Sequence, residues 1–315
     1  MTLDSPVSGP IVAILGATAS GKTSLSLKLA SRFHGEIVNA DSRQVYRYMD
    51  IGTAKPTPQE RALVRHWLID VADPDEEYNL ARYQEDAQAA LSDVWSRGKT
   101  AFLVGGTGQY VWALLEGWQV PRVPPDRELR RSLEERAQLE GAESLHRELA
   151  EVDAAAARRI DPRNVRRVTR ALEVRRVTGR PLSSLQDKLR PAFEALILGI
   201  AWPRAELYRR IDERVERMLA AGFVEEVQGL LARGYGPELP SMSSIGYRQV
   251  CRHLRGEMTL AEAVAEMKTE NHRLARMQSA WFRRDDPRIH WVEGGEGLES
   301  EATRLVAGWL NEKRT

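Results

Sequence analysis

The sequence predicts an α/β fold in which a parallel-sheet core is interrupted by an all-helical insertion domain. Three observations carry this expectation. The apolar run Ile11-Val12-Ala13-Ile14-Leu15 passes through a glycine-bounded turn into an amphipathic stretch at 24–30, the order strand, turn, helix. Further apolar runs then alternate with helical patterns, as a helix-covered parallel sheet requires. Beyond Gln119 the periodicity is helical alone until an apolar run returns at Ala195-Leu196-Ile197-Leu198-Gly199-Ile200.

The turn after the first strand is Gly16-Ala17-Thr18-Ala19-Ser20-Gly21-Lys22-Thr23, the full G-x-x-x-x-G-K-T pattern of a P-loop. Its glycines let backbone N–H groups turn inward around an oligophosphate at the positive end of a helix dipole. Lys22 adds a mobile positive charge, and Thr23 offers a hydroxyl to a magnesium ion. The core is therefore expected to be P-loop NTPase-like. The next strand, Glu36-Ile37-Val38-Asn39-Ala40, ends at Asp41. Residues just past strand ends line the ligand crevice of an open parallel sheet, so Asp41 is either a chemical group beside the phosphates or else a turn residue or the N-cap of a helix at 42–48.

The polar stretch 46–55, with Pro56 and Pro58 behind it, reads as a loop. A third strand is expected over 66–71, and Asn79 caps a helix that ends near Gly98. A fourth strand over 100–104 runs into Gly105-Gly106-Thr107-Gly108, a second glycine turn at a strand end. Core segments 1–119 and 191–315 are thus separated by 120–190, which opens on Val120-Pro121-Arg122-Val123-Pro124-Pro125. Helices are expected there at 128–140, 143–152 and 165–178. Between Arg158 and Arg180 nine arginines face only Asp161 and Glu173, so that surface is locally positive and suits phosphate or nucleic acid.

After 195–200 the pattern gives helices at 204–221 and up to 233, a glycine-, proline- and serine-rich loop at 234–245, and a long basic helix at 260–284. A closing strand follows at 288–292. The acidic tail from Glu293 is expected to be peripheral.

Totals narrow the classes. At 315 residues, 42% hydrophobic and 29% charged, the chain has ample core and an ordinary globular composition. A net charge of +1 gives no global field toward nucleic acid. One cysteine, Cys251, excludes an intramolecular disulfide and a cysteine-based zinc finger. With no basic leader over 1–10 and no membrane-length apolar run, a cytoplasmic protein without membrane contact is expected. Leu103-Val104 leads into glycines where most P-loop hydrolases place a magnesium-binding acid, and no Asn-Lys-x-Asp guanine-reading string is present. A transferase with Asp41 as general base beside the donor phosphates fits better than a switch GTPase or motor.

Several longer strings fix the class: Ala-Asp-Ser at 40–42, Met-Asp-Ile-Gly-Thr-Ala-Lys-Pro at 49–56, Leu-Val-Gly-Gly-Thr-Gly at 103–108, Arg-Ala-Leu-Glu-Val at 170–174, Arg-Ile-Asp-Glu-Arg at 210–214 and Ile-Gly-Tyr-Arg at 245–248. With the P-loop they make the chain resemble the bacterial tRNA dimethylallyltransferases (tRNA isopentenyltransferases), the IPP transferase family. Ala17 departs from the usual proline and Gln109 from the usual apolar residue. A monomer is expected, since nothing in the sequence suggests an obligate dimer, and the resemblance implies a prenyltransferase using Mg²⁺. It would move the dimethylallyl group of dimethylallyl diphosphate to N6 of adenosine 37 in tRNAs that read codons beginning with U. It implies that Gly16, Ala17, Thr18, Ala19, Ser20, Gly21, Lys22 and Thr23 hold the diphosphate, with Arg210 or Arg214 helping to stabilise it. It further implies contacts to the tRNA anticodon stem-loop from Asp41, Ser42, Arg43, Gln44, Thr107 and Arg130. The same is implied for Arg166, Arg167, Val168, Thr169 and Arg170, and for Ser243, Ser244, Ile245, Gly246, Tyr247 and Arg248.

Overall fold

The computed structural model describes residues 8–185 and 187–313. The expectation of no leader at 1–10 therefore lies, for residues 1–7, outside the described residues. The chain divides into two compact units, residues 1–115 with 191–315 and residues 116–190.

The first unit begins with β1 (Ile11–Gly16), α1 (Lys22–Arg32), β2 (Gly35–Asn39), α2 (Pro58–Leu63), β3 (His66–Trp67), α3 (Leu80–Ser96), β4 (Thr100–Gly105) and α4 (Gly108–Leu115). All pairings in its sheet are parallel, and the completed strand order is β3-β2-β4-β1-β5-β6, where β5 is Ala195–Ala201 and β6 is Ile289–Glu293. Every residue of β1 is buried, because helices cover both faces of a parallel sheet and alternation would waste apolar surface. Ile11 sits in register with Ala101 on one side and Ala195 on the other. The carboxyl ends of β2, β4 and β1 are consecutive neighbours, so residues 40–42, 105–107 and 16–21 emerge side by side. Gly105 makes this spacing possible: a Cβ there would lie 2.1 Å from the Ala40 carbonyl oxygen.

Two expectations change here. The third strand is only two residues long, because Leu68 and Asp70 take left-handed φ values of 62° and 58° that no strand accommodates. Residues 42–48 form turns and a bridge from Tyr46 to Ala72, so Asp41 caps no helix there.

The second unit holds α5 (Arg127–Glu140), α6 (Ala142–Val152), α7 (Ala154–Ala157) and α8 (Val165–Thr178), followed by a 3-10 turn at Leu182–Leu185. Leu129, Leu133, Leu145, Leu149, Val168 and Leu172 meet in its own apolar core. Asp126 and Asn164 cap α5 and α8 through their side-chain oxygens.

The first unit resumes after β5 with α9 (Arg204–Ala220), α10 (Phe223–Ala232), α11 (Tyr247–Leu254) and α12 (Leu260–Trp281). The segment after β6 is no loose tail. It forms α13 (Leu298–Glu312), whose Ala302, Val306 and Leu310 pack into the core with Leu25 and Leu29 of α1. Acidic composition hid an i, i+4, i+8 apolar stripe.

Candidate active site

The turn between β1 and α1 is shaped by what its carbonyls accept. Lys22 donates from Nζ to the Gly16 and Ala17 oxygens at 3.1 and 2.8 Å. Arg210 donates from Nε to the Ala19 oxygen at 3.1 Å, and the Trp202 indole donates to the Ser20 oxygen at 2.9 Å. The Arg210 guanidinium also lies 4.3 Å from the centre of the Trp202 ring. Ala19 holds a left-handed φ of 61°, and Gly21, the N-cap of α1, has φ 99° and offers no side-chain cap. The first N–H groups of α1 are therefore left for an anion, with the helix dipole behind them.

Arg214 completes the cradle, donating from Nη1 to the Thr18 hydroxyl at 3.0 Å. Neither Arg210 nor Arg214 is hydrogen-bonded to a carboxylate among the described residues. Burial pulls the Lys22 ammonium down from its usual range to about 8, with Asp41 opposing the shift and Arg214 adding to it. Burial also lowers the pKa of Arg214, again against the pull of Asp41.

Asp41 borders the same cleft as Lys22, Thr23, Asn39 and Gly105. Its backbone N–H donates to Asn39 Oδ1 at 3.2 Å, and its own Oδ1 accepts from the Arg43 N–H at 2.8 Å. That arrangement fixes the carboxylate while Oδ2 has no hydrogen-bond partner among the described residues. Thr107 sits next to it: its N–H donates to the Ala40 oxygen at 3.2 Å, and its hydroxyl accepts from the Ser42 N–H at 3.0 Å. The three strand ends thus bring a cationic anion cradle, a hydroxyl and a carboxylate into one place. Among the described residues no cluster of three or more His, Cys, Asp or Glu could hold a metal alone. Thr23 beside Asp41 suits a magnesium ion, which takes few protein oxygens and fills its shell with phosphate and water.

A family model described as IPP transferase matches residues 44–285. The chain belongs to that family. A tRNA dimethylallyltransferase of Roseiflexus sp. (strain RS-1) is 50% identical over 302 residues, covering 96% of this chain and 99% of its own length. One from Dehalococcoides mccartyi is 47% identical over 309 residues, 98% and 95% of the two chains. The full-length tRNA isopentenylpyrophosphate transferase of Bacillus halodurans superposes with a TM-score of 0.70 at 37% identity, over 97% of this chain and 98% of that one. A eukaryotic dimethylallyltransferase solved acting on tRNA gives 0.80 at 26% identity, over 95% of this chain and 77% of that one.

The IPP transferase strings acquire physical reasons. In 49–56, Lys55 is buried and donates to the Tyr46 oxygen at 2.7 Å, to Asp50 at 2.6 Å and to Asp70 at 2.7 Å. Burial would raise the Asp70 carboxyl, but the hydrogen bonds from Lys55 and Arg61 outweigh it and hold the group below its usual range. The N–H groups of Asp50, Ile51 and Gly52 all donate to the Glu226 carboxylate, which also accepts from the Tyr247 hydroxyl at 2.6 Å. Gln44 donates to the Thr53 and Ala54 oxygens, and Arg43 to the Pro240 oxygen at 3.1 Å. The 41–44 turn is therefore braced from two sides.

The expected RNA-facing residues divide by exposure. Ser243 and Arg248 are exposed and Ile245 is half-buried, whereas Ser244, Gly246 and Tyr247 are buried. In the second unit Arg166 and Arg167 are exposed and have no carboxylate partner among the described residues. Val168 and Thr169 are 0% and 2% exposed, so their side chains belong to the core of that unit rather than to its surface. Arg130 and Arg170 both donate to Glu173, which is wholly buried. Glu226, Trp202 and Gln278 escaped the sequence reading, because each works across more than 170 residues and no local pattern marks it.

Proposed function

We propose that the enzyme transfers the dimethylallyl group from dimethylallyl diphosphate to N6 of adenosine 37 in tRNAs reading codons that begin with U. The observation that carries this reading is that Lys22 and Asp41 border one cleft at the open N-terminus of α1, with Arg214, bonded to Thr18 of the same loop, near enough for its charge to act on Lys22. The diphosphate lies in the P-loop, and no phosphoryl group moves. The N6 nitrogen attacks the first prenyl carbon, the carbon–oxygen bond to the diphosphate breaks, and the N6 proton passes to Asp41. N6 is a poor nucleophile because its lone pair is delocalised, so a positioned base matters. Charge gathers on the departing diphosphate, where Lys22, Arg210, Arg214 and the loop N–H groups stabilise it. The Thr23 hydroxyl would hold a magnesium ion there, and such an ion would supply further positive charge to the leaving group.

Adenosine 37 must leave the anticodon loop to reach this cleft. Thr107, Ser42 and Arg43 surround the target nucleotide, and Arg166 and Arg167 of the insertion hold the anticodon stem-loop. Among the described residues no helix is long and apolar enough to cross a membrane, and a cytoplasmic location suits a tRNA substrate.

The test is mass analysis of adenosine 37 in tRNA incubated with the protein and dimethylallyl diphosphate, with AMP offered in parallel. Prenylation of AMP alone, or ATP-dependent phosphorylation without prenyl transfer, overturns the reading. Asp41→Ala is expected to cut turnover about 10²-fold or more with tRNA affinity largely kept.

A further inference from the structure

Thr18 lies in the middle of the P-loop, and its hydroxyl and its N–H are both committed. The hydroxyl accepts from Arg214, and the backbone N–H donates to Gln278 Oε1 at 2.7 Å. The other end of the same amide donates from Nε2 to the Gly106 oxygen at 2.9 Å. Gln278 is 8% exposed, so each of these bonds is shielded from water and its loss leaves a buried group unpaired. Gly106 makes room for the amide: a Cβ there would sit 2.4 Å from Nε2. The next residue, Thr107, binds the Ala40 oxygen and the Ser42 N–H on either side of Asp41.

We infer that Gln278 is a positioning residue that sets the distance between the diphosphate cradle and the Asp41–Thr107 acceptor side. One planar amide ties the loop holding the leaving group to the turn holding the proton acceptor. Its two bonds differ in direction, so neither an ester-like acceptor nor an amine could replace it. The helix carrying Gln278 is itself fixed on that side, since Trp112 donates from Nε1 to the Trp281 oxygen at 3.0 Å and Trp281 packs against Gly108. Transfer between two bound substrates depends on near-attack geometry, and a shift of about 1 Å costs on the order of 10²-fold in rate. The effect of losing the amide therefore falls on kcat and not on substrate binding.

This inference rests on the proposed roles of the P-loop and Asp41. The experiment is steady-state kinetics of Gln278→Met, close in size but without the amide, with tRNA and dimethylallyl diphosphate varied separately. The expected result is a kcat about 10- to 100-fold lower with each KM within about threefold of wild type, alongside an unfolding midpoint lowered by the two buried groups left unpaired. Gly106→Ala, which displaces the amide without removing it, is expected to show the same split and decides the matter if Gln278→Met does not fold. Combined with Thr107→Ala, the Gln278→Met loss should be markedly less than additive. A wild-type kcat, a loss carried by KM, or full additivity overturns the inference. Asp41→Ala in the same assay keeps the two ideas apart: if it turns over normally, the role of Asp41 fails, whereas the kcat and KM of the Gln278 variant judge the amide directly.

Discussion

Arginine does two different jobs in the two units of this chain. Around the P-loop, Arg210 and Arg214 are held against the loop by a carbonyl and a hydroxyl, with no carboxylate hydrogen-bonded to either. Their charge remains available to an anion in a partly buried setting, where electrostatic effects are large and geometry is fixed. In the helical unit, Arg130 and Arg170 converge on the buried Glu173, and Arg166 and Arg167 stand in solvent. There one pair of arginines builds the fold and the other presents screened charge. The lesson is that a count of arginines predicts a field, but their partners decide whether the field serves chemistry, stability or docking.

The comparison can be broken at several points. Lys22→Met should produce the largest effect, a fall in kcat of about 10²–10³-fold, measured in single-turnover prenyl transfer, because it deletes a preorganised charge at the leaving group. Glu173→Gln strands two arginines on a neutral amide in a buried site. It should cost about 3–5 kcal/mol of stability in urea titrations, with the P-loop chemistry retained in whatever fraction stays folded. Burial raises the Glu173 carboxyl, but bonds from Arg130, Arg170 and the Asp126 N–H bring it below its usual range. Its contribution is thus present above the unfolded carboxylate pKa and is lost as pH falls through the lower folded one.

The paired change Arg166→Ala with Arg167→Ala should weaken tRNA binding and flatten the slope of log affinity against log salt by about two, leaving kcat at saturating tRNA unchanged. An unchanged slope in a salt-titrated filter assay removes the insertion from the list of tRNA grips. The smallest effect is in pH. A diphosphate-binding role for Lys22 requires its protonated form, and burial pulls its pKa down to about 8. Inorganic diphosphate should therefore bind more weakly as pH rises through that value, by calorimetry, and more steeply than the arginine-only grip on RNA. Stability runs the other way: the unfolded chain holds this proton up to the ordinary lysine range, so the folded state gains as pH rises above about 8.

Much of this was legible from the sequence because it is local. The P-loop declares itself through glycine, lysine and threonine at fixed spacing, and the strands through apolar runs. Asp41 was placed near the loop by the rule that parallel strands deliver ligands at their carboxyl ends, and β2, β4 and β1 do lie side by side. What was not legible is tertiary. The turn at Leu68 and Asp70 is forced by positive φ in residues that normally avoid it, held by bonds from Asn39 to the Leu68 oxygen and from Lys55 to Asp70. The carboxylate that satisfies the N–H groups of 50–52 comes from Glu226, and the amide between two glycine turns from Gln278, each a polar residue on an otherwise ordinary helix.

At the base of the helical unit, Gln119 donates to the Asp187 oxygen at 2.7 Å and Leu189 to the Gly117 oxygen at 2.9 Å, around an antiparallel bridge from Trp118 to Lys188. The outgoing and returning chains therefore run about 5 Å apart, the spacing of paired strands. Such a neck behaves like the stem of a hairpin. A link of a few residues across it would close the gap if everything beyond it were cut away. Surface charge can thus be rewritten as a cassette without touching a single strand of the sheet.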